Sequence, residues 1–255
     1  MLRLVKYILL DIIQNRMVIG YALFLLAVSL GLFSLNDDPV KGLVGLLNIA
    51  LIVTPLASIV FSTIHFYNSG EFIELMAAQP VRRSLIMWAE FWSLSLALVT
   101  AVGIGMGIPV LVYVPAATGL ALILATMALT VIFVSLAMYV SVRTRDKAKG
   151  IGGVLLLWFL FALLYDALVL LFMFMFSDYP LEKAVLALVA LNPIDLARVT
   201  VLLQLDIAAL MGYTGALFRE FLGTVKGIVF ASCILTLWSV LPVVVAVRLF
   251  NRKDL

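Results

Sequence analysis

Apolar residues run along this chain in long, nearly unbroken blocks, without the spaced stripe of a soluble amphipathic helix or the alternation of a half-buried strand. Six blocks are long enough to cross a bilayer, whose hydrocarbon core of about 30 Å takes about 20 residues of helix. They are Met17–Leu35, Gly42–Ile64, Ser84–Val114, Ala116–Val142, Gly150–Ser177 and Gly227–Phe250. Asn36, Asp37, Asp38 and Pro39 form a turn cluster after the first. Pro55 predicts a kink in the second, and Pro115 suits the start of the fourth. The third block exceeds the length required, which predicts tilt or projection beyond the bilayer. Gly103, Gly105 and Gly107 lie inside it with no strand ahead, so they predict close helix packing or a bend and not a nucleotide loop.

Helical periodicity appears at two places outside the blocks. In Met1–Arg16, Leu2, Val5, Leu9, Ile12 and Ile13 form a stripe, with Arg3, Lys6 and Arg16 between them. This predicts an amphipathic helix on the cytoplasmic leaflet. A signal peptide fits less well, because Met17–Leu35 is longer than a signal core and no A-x-A site follows. The second place is Asp178–Lys226, too polar for a simple span. Asn192, Pro193 and Asp195 offer an N-cap, a proline at the first helical position and an acid in the first turn. Leu196, Val199, Leu202 and Leu203 follow at helical spacing, and Gly212 suits a stop. Such a helix outside the membrane either lies on the outer leaflet or covers the exit of a pathway. A seventh span through Leu181–Leu203 would bury Asp195 and Arg198 and turn the basic C-terminus outward, so six spans are predicted.

Composition agrees with the pattern. The chain is 65% hydrophobic and 12% charged, with mean hydropathy +1.23, against about 45–50% and 25% in soluble domains. The expected fold is an all-α membrane protein of one domain (residues 1–255). It has six transmembrane helices, the N-terminal interfacial helix and an extracytoplasmic helical segment before the last span. The net charge of +3 does not indicate nucleic acid, because Lys and Arg cluster at the block ends. With the N-terminus inside, 12 of the 17 basic residues fall on the cytoplasmic side and 5 outside: Lys41, Lys183, Arg198, Arg219 and Lys226. That bias predicts an inner-membrane protein with both termini cytoplasmic. A single cysteine, Cys233, excludes an intrachain disulfide or CxxC pair, and a single histidine, His65, excludes a multi-histidine metal centre. Both read as lining or packing residues. No P-loop, HExxH or GxSxG motif occurs, so no catalytic residue, metal or cofactor is expected.

Two features could carry function. Asp166 interrupts the fifth block near its middle, where a carboxylate costs about 2.5–3.5 kcal/mol to insert. It needs a partner, a wet cavity or a proton. Three roles stay open: a hydrogen-bonded structural residue, a lining of a polar transport route, or a protonation switch. Tyr165-Asp166 echoes the intramembrane aspartyl proteases, but no other span supplies their second aspartate. Met173 and Met175, two apart, face away from each other on a helix and read as packing residues. The second feature is the segment Glu71–Arg83 between the second and third blocks. It is either a solvated connector or a short interfacial helix that docks into a partner.

The run ELMAAQPVRRSLI from Glu74 to Ile86 resembles the ELLLAxPVSRxxI signature of ABC-2-type transporter permeases. There it forms the coupling region seated on an ATPase subunit. The chain departs from the pattern at Ala89-Glu90, where the family has Gly-Lys. WFLFALLYD (Trp158–Asp166), LNPIDLAR (Leu191–Arg198) and ALMGYTG (Ala209–Gly215) are similar to the permeases of transporters that support nitrous-oxide reductase maturation, over essentially the whole chain. The resemblance implies a homodimer, a separate cytoplasmic ABC ATPase subunit, an extracytoplasmic accessory protein, and copper or sulfur delivery as the supported process. It places Glu71, Glu74, Pro80, Arg82 and Arg83 at the ATPase contact. Asp166 is then a candidate for the transport pathway, its three roles still open, and Asn192, Pro193, Asp195 and Arg198 are candidates for an extracytoplasmic partner site or gate. Export of another substrate, or a stand-alone proton-coupled carrier, are the alternatives.

Overall fold

A computed structural model describes residues 2–78, 81–114, 117–176, 182–205 and 223–252. It is 91% helical, with no strand among the described residues. Six helices are long and apolar enough to cross a membrane: α2 (Arg16–Leu35), α3 (Pro39–Asn68), α5 (Arg83–Tyr113), α6 (Ala117–Arg143), α7 (Lys147–Met175) and α10 (Val225–Asn251). The chain is therefore a multi-pass membrane protein. Among the described residues there are also four shorter helices: α1 (Leu2–Ile13), α4 (Gly70–Ala77), α8 (Glu182–Leu191) and α9 (Pro193–Gln204).

Most spans start where the sequence supplies a cap. Asn15 accepts from the Met17 N–H, Asp38 from Val40, Asp146 from Ala148 and Lys149, and Thr224 from Gly227. Each satisfies a donor that the first helical turn leaves free. Pro39 occupies the first position of α3. Helix α3 continues as a single element through Pro55, and the Trp158 indole donates to the Ile52 carbonyl beside that break in the ladder at 3.2 Å. In α10, Pro242 removes the donor for the Trp238 carbonyl. The Ser135 hydroxyl from α6 reaches that oxygen at 3.4 Å.

Helix α6 is the central pillar, packed on α3, α5, α9 and α10. Its hydroxyls suit this place. Thr126, Thr130 and Ser135 donate to their own helix at Leu122, Thr126 and Ile132 and so enter an apolar core already satisfied. Gly103–Gly107 forms a π turn inside α5, where the Ile108 N–H bonds the Gly103 carbonyl. A β-carbon on Gly105 would stand 2.5 Å from the Ala22 carbonyl oxygen and 2.7 Å from Leu25 Cβ. The glycine is there for the closeness of α2, as its position in an apolar block predicts.

Two expectations change. The stripe that seats α1 is Ile8 and Ile12, buried against α5, whereas Ile13 is exposed. The Ser93 hydroxyl also donates to the Val5 carbonyl. Protein contact, not only lipid, therefore holds α1. The larger change concerns α9, expected to lie on the outer leaflet or over an exit. Ile194, Ala197 and Val201 join the main core beside α6, and Leu196 and Val199 join a second cluster with Val185, Val189 and Ala231. Apolar burial on two faces wedges the helix into the bundle. Helices α8 and α9 are bent against each other by 113°, so they do not form a straight seventh span. Helix α9 ends at Gln204; Gly212 and the run Ala209–Gly215 lie outside the described residues, as do Pro115 and Arg219.

Candidate functional site

The α8–α9 bend is built around Asn192, which is fully buried. Its side-chain oxygen caps α9 by accepting from the Ile194 N–H at 3.0 Å, and Pro193 holds the first helical position. Its amide nitrogen donates twice, to the Phe161 carbonyl at 2.9 Å and to Asp195 Oδ2 at 2.8 Å. The Phe161 carbonyl is available because α7 makes a π turn over Leu160–Leu164. There the Tyr165 N–H bonds Leu160 instead of Phe161.

The last carbonyls of α8 are likewise met from neighbouring spans. The Tyr165 hydroxyl donates to Leu188 at 2.6 Å, and the Trp238 indole faces the Ala190 carbonyl at 3.4 Å. A helix end can be buried only when such donors replace water.

One residue beyond Tyr165, Asp166 meets its partner. Its Oδ2 accepts from Arg198 Nη1 at 2.8 Å, and the same nitrogen stands 3.3 Å from Asp195 Oδ1. One guanidinium nitrogen thus stands close to two carboxylates that also face each other, with Asp166 about a third exposed and Asp195 nearly buried. Asp166 is nine residues from the end of α7, about 14 Å at 1.5 Å per residue. Arg198, an outside charge by its place in the sequence, thus pairs with a carboxylate well inside the fifth span. Asn192, Pro193, Asp195, Arg198 and Asp166, separated in sequence, form one cluster. The second aspartate missing from the other spans stands in α9, within hydrogen-bonding reach of Asp166, and Arg198 Nη1 lies close to both. Met173 packs against the α8–α9 cluster while Met175 is exposed, so the two do point apart.

The second candidate lies elsewhere in the chain. Helix α4 buries Ile73 and leans Met76 on the cluster that holds the base of α5. Glu71, Phe72, Glu74 and Leu75 are exposed, Leu75 by 68%. A cavity of about 410 Å³ opens beside it, lined among others by Glu74, Tyr67, Ser141, Arg145 and Phe250. Arg82 is exposed at the head of α5, Arg83 is half-buried, and Pro80 lies outside the described residues. The Tyr67 hydroxyl donates to the Thr144 carbonyl, and the Lys147 ammonium donates to Asn68 Oδ1. A β-carbon on Gly150 would collide with the Tyr67 ring, so the α6–α7 turn is locked onto the end of α3 beside α4.

One pair was not legible beforehand. His65 Nε2 stands 3.4 Å from Glu90 Oε2, and Glu90 is 1% exposed. The sequence marked Glu90 only as a departure from the permease signature, and His65 only as a packing residue. Nothing in their spacing, 25 positions apart on different helices, brings them together.

No family model matches this chain, and no curated protein does.

Proposed function

We propose that the chain is the membrane-spanning permease subunit of an ABC transporter, working with a separate cytoplasmic ATPase that seats on α4. The carrying observation is α4 itself. Between two spans it presents two acids and two large apolar side chains to solution, while its other face is anchored on α5. Acidic side chains beside exposed aromatic and aliphatic groups make a surface suited to docking. Resemblance of Glu74–Ile86 to the ABC-2 coupling signature names the partner.

On this reading the α4 end is cytoplasmic, both termini lie there, and the permease works as a homodimer in the inner membrane. The Asp166–Arg198–Asp195 cluster then belongs to the extracytoplasmic half. It serves the transport pathway or the gate beneath an extracytoplasmic accessory protein. The process supported is copper or sulfur delivery for nitrous-oxide reductase maturation, an assignment that rests on the resemblance of Trp158–Asp166 and Leu191–Arg198. No nucleotide site is required of the permease.

The test is copurification. Glu74→Lys with Leu75→Asp should leave the permease in the membrane at normal amount and lose the ATPase subunit from the purified complex. Unchanged ATPase stoichiometry and activity would reject α4 as the seat.

A further inference from the structure

Helix α4 starts immediately after α3, and Ser69 is both the last cap of one and the first of the other. Its N–H bonds the His65 carbonyl at 2.9 Å, and its carbonyl accepts from the Ile73 N–H at 2.9 Å. A serine in this place ordinarily turns its hydroxyl onto the free N–H groups of the next helix, which requires an extended backbone. Ser69 has φ −84° and ψ 3°, and its side chain makes no cap bond. The hydroxyl instead sits 3.3 Å from His65 Nε2. That same nitrogen stands 3.4 Å from Glu90 Oε2, a buried oxygen with no hydrogen-bond partner among the described residues. A chain of three side chains, Ser69, His65 and Glu90, thus runs from the joint before α4 to the buried flank of α5.

Packing alone does not call for this chain. A buried carboxylate facing one imidazole is costly, and apolar residues of similar volume would serve stability at least as well. Gly70, the next residue, has nothing within 4 Å of where a β-carbon would stand. Contact does not demand glycine there, and its effect is to leave the joint loose.

We propose that Ser69 and Gly70 form a hinge for α4, and that His65 and Glu90 are positioning residues that lock it. Releasing the Ser69 hydroxyl from His65 lets the backbone at Ser69 rotate toward the extended capping geometry, and α4 swings with it. The position of α4 is thereby tied to a buried charge on α5. The purpose of the hinge rests on α4 being the partner's seat. Its existence does not, and it is tested on this chain alone.

The experiment places spin labels at Lys41→Cys and Leu75→Cys in the full chain, in lipid nanodiscs and in a Cys233→Ser background. Both sites are exposed, and Lys41 lies at the far end of α3, so the distance reports the attitude of α4 relative to that helix. The unaltered joint should give one narrow distance. Ser69→Ala and Glu90→Leu should each add a second population, whereas Glu90→Gln, whose amide oxygen keeps a polar atom facing His65, should stay narrow. Gly70→Ala, added to Ser69→Ala, should shrink the second population.

Because His65 is the sole histidine, its imidazole nitrogen signals in histidine-labelled protein can be read without ambiguity. They should move in Ser69→Ala and hold still in the surface control Glu74→Gln. A narrow distance in Ser69→Ala overturns the lock, whatever happens to the folding of Glu90→Leu. So does equal broadening in Glu74→Gln. Loss of ATPase copurification with an unmoved hinge would leave the docking proposal standing without this one.

Discussion

Helix α4 and the α8–α9 hairpin are both short helical inserts between spans, yet they dispose of their polar groups in opposite ways. In the hairpin, Asn192 gives both amide hydrogens and its oxygen to the protein, and Arg198 donates to Asp166 and forms an ion pair with Asp195. Even the carbonyls at the end of α8 take donors from α7 and α10. In α4, by contrast, Glu71 and Glu74 are exposed beside Phe72 and Leu75. The first region meets its polar groups almost entirely from within, Asp195 Oδ1 alone of those named lacking a hydrogen bond among the described residues, and those groups specify one arrangement of spans. The second is finished on one face only. Internal satisfaction marks a structural joint or a guarded passage, while outward-facing mixed chemistry marks a surface for something else.

The comparison breaks most visibly at Asn192. Asn192→Leu removes the α9 cap and both donors, stranding the Phe161 carbonyl and an Asp195 oxygen in a fully buried place. Each stranded group costs about 1–3 kcal/mol, so a loss of about 3 kcal/mol or more is expected in detergent unfolding. Asn192→Ser, which keeps the capping oxygen but not the donors, should fall between the two. Equal stability of all three would mean that the hairpin is not held from Asn192.

The six spans were plain in the sequence because an apolar block of the right length leaves a helix as the only way to satisfy its backbone in lipid. The cap at Asn192 and the acid after it were equally plain, being local chemistry. What the sequence could not show was where α9 goes. Leu196, Val199, Leu202 and Leu203 describe one apolar face, but Ile194, Ala197 and Val201 complete a second, and only together do they report a buried wedge. The partner of Asp166 was hidden for a related reason. Arg198 counts as an outside charge by position, and 32 residues separate it from Asp166. The π turn at Leu160–Leu164, which frees the Phe161 carbonyl for Asn192, has no composition that distinguishes it from the rest of α7.

A smaller effect sharpens the assignment of the charge cluster. Removing Asp166 does not strand its partner, because Arg198 keeps Asp195 at 3.3 Å. Removing Arg198 leaves two carboxylates facing each other with no cation between. Arg198→Leu should therefore destabilise more than Asp166→Leu. The cost is about 2 kcal/mol, taken below the 3–5 kcal/mol of a fully buried pair because Arg198 and Asp166 are about a third exposed, though Asp195 is not. Asp166→Asn keeps an acceptor for Arg198 and should assemble normally. On the proposed reading, failure of nitrous-oxide reductase maturation with a fully assembled Asp166→Asn complex would assign the charge to the pathway. Normal maturation would leave Asp166 as a residue that only holds α9 to α7.

The smallest effect on stability is expected at α4, and its smallness is the point. Glu74 and Leu75 make no contact on which the bundle depends, and exposed substitutions away from such features change stability by about 0.5 kcal/mol or less. Glu74→Lys with Leu75→Asp should therefore unfold with the unaltered protein while losing its partner, a combination no residue of the α8–α9 hairpin can produce. Ile73→Asp on the opposite face is the necessary contrast. That side chain is 3% exposed in the cluster that includes Ile86 and Met87, so its replacement should lower stability and partner binding together. If the outward pair destabilised as much as Ile73→Asp, the exposed face of α4 would be part of the fold after all. The difference between the two ends of the molecule would then be one of degree.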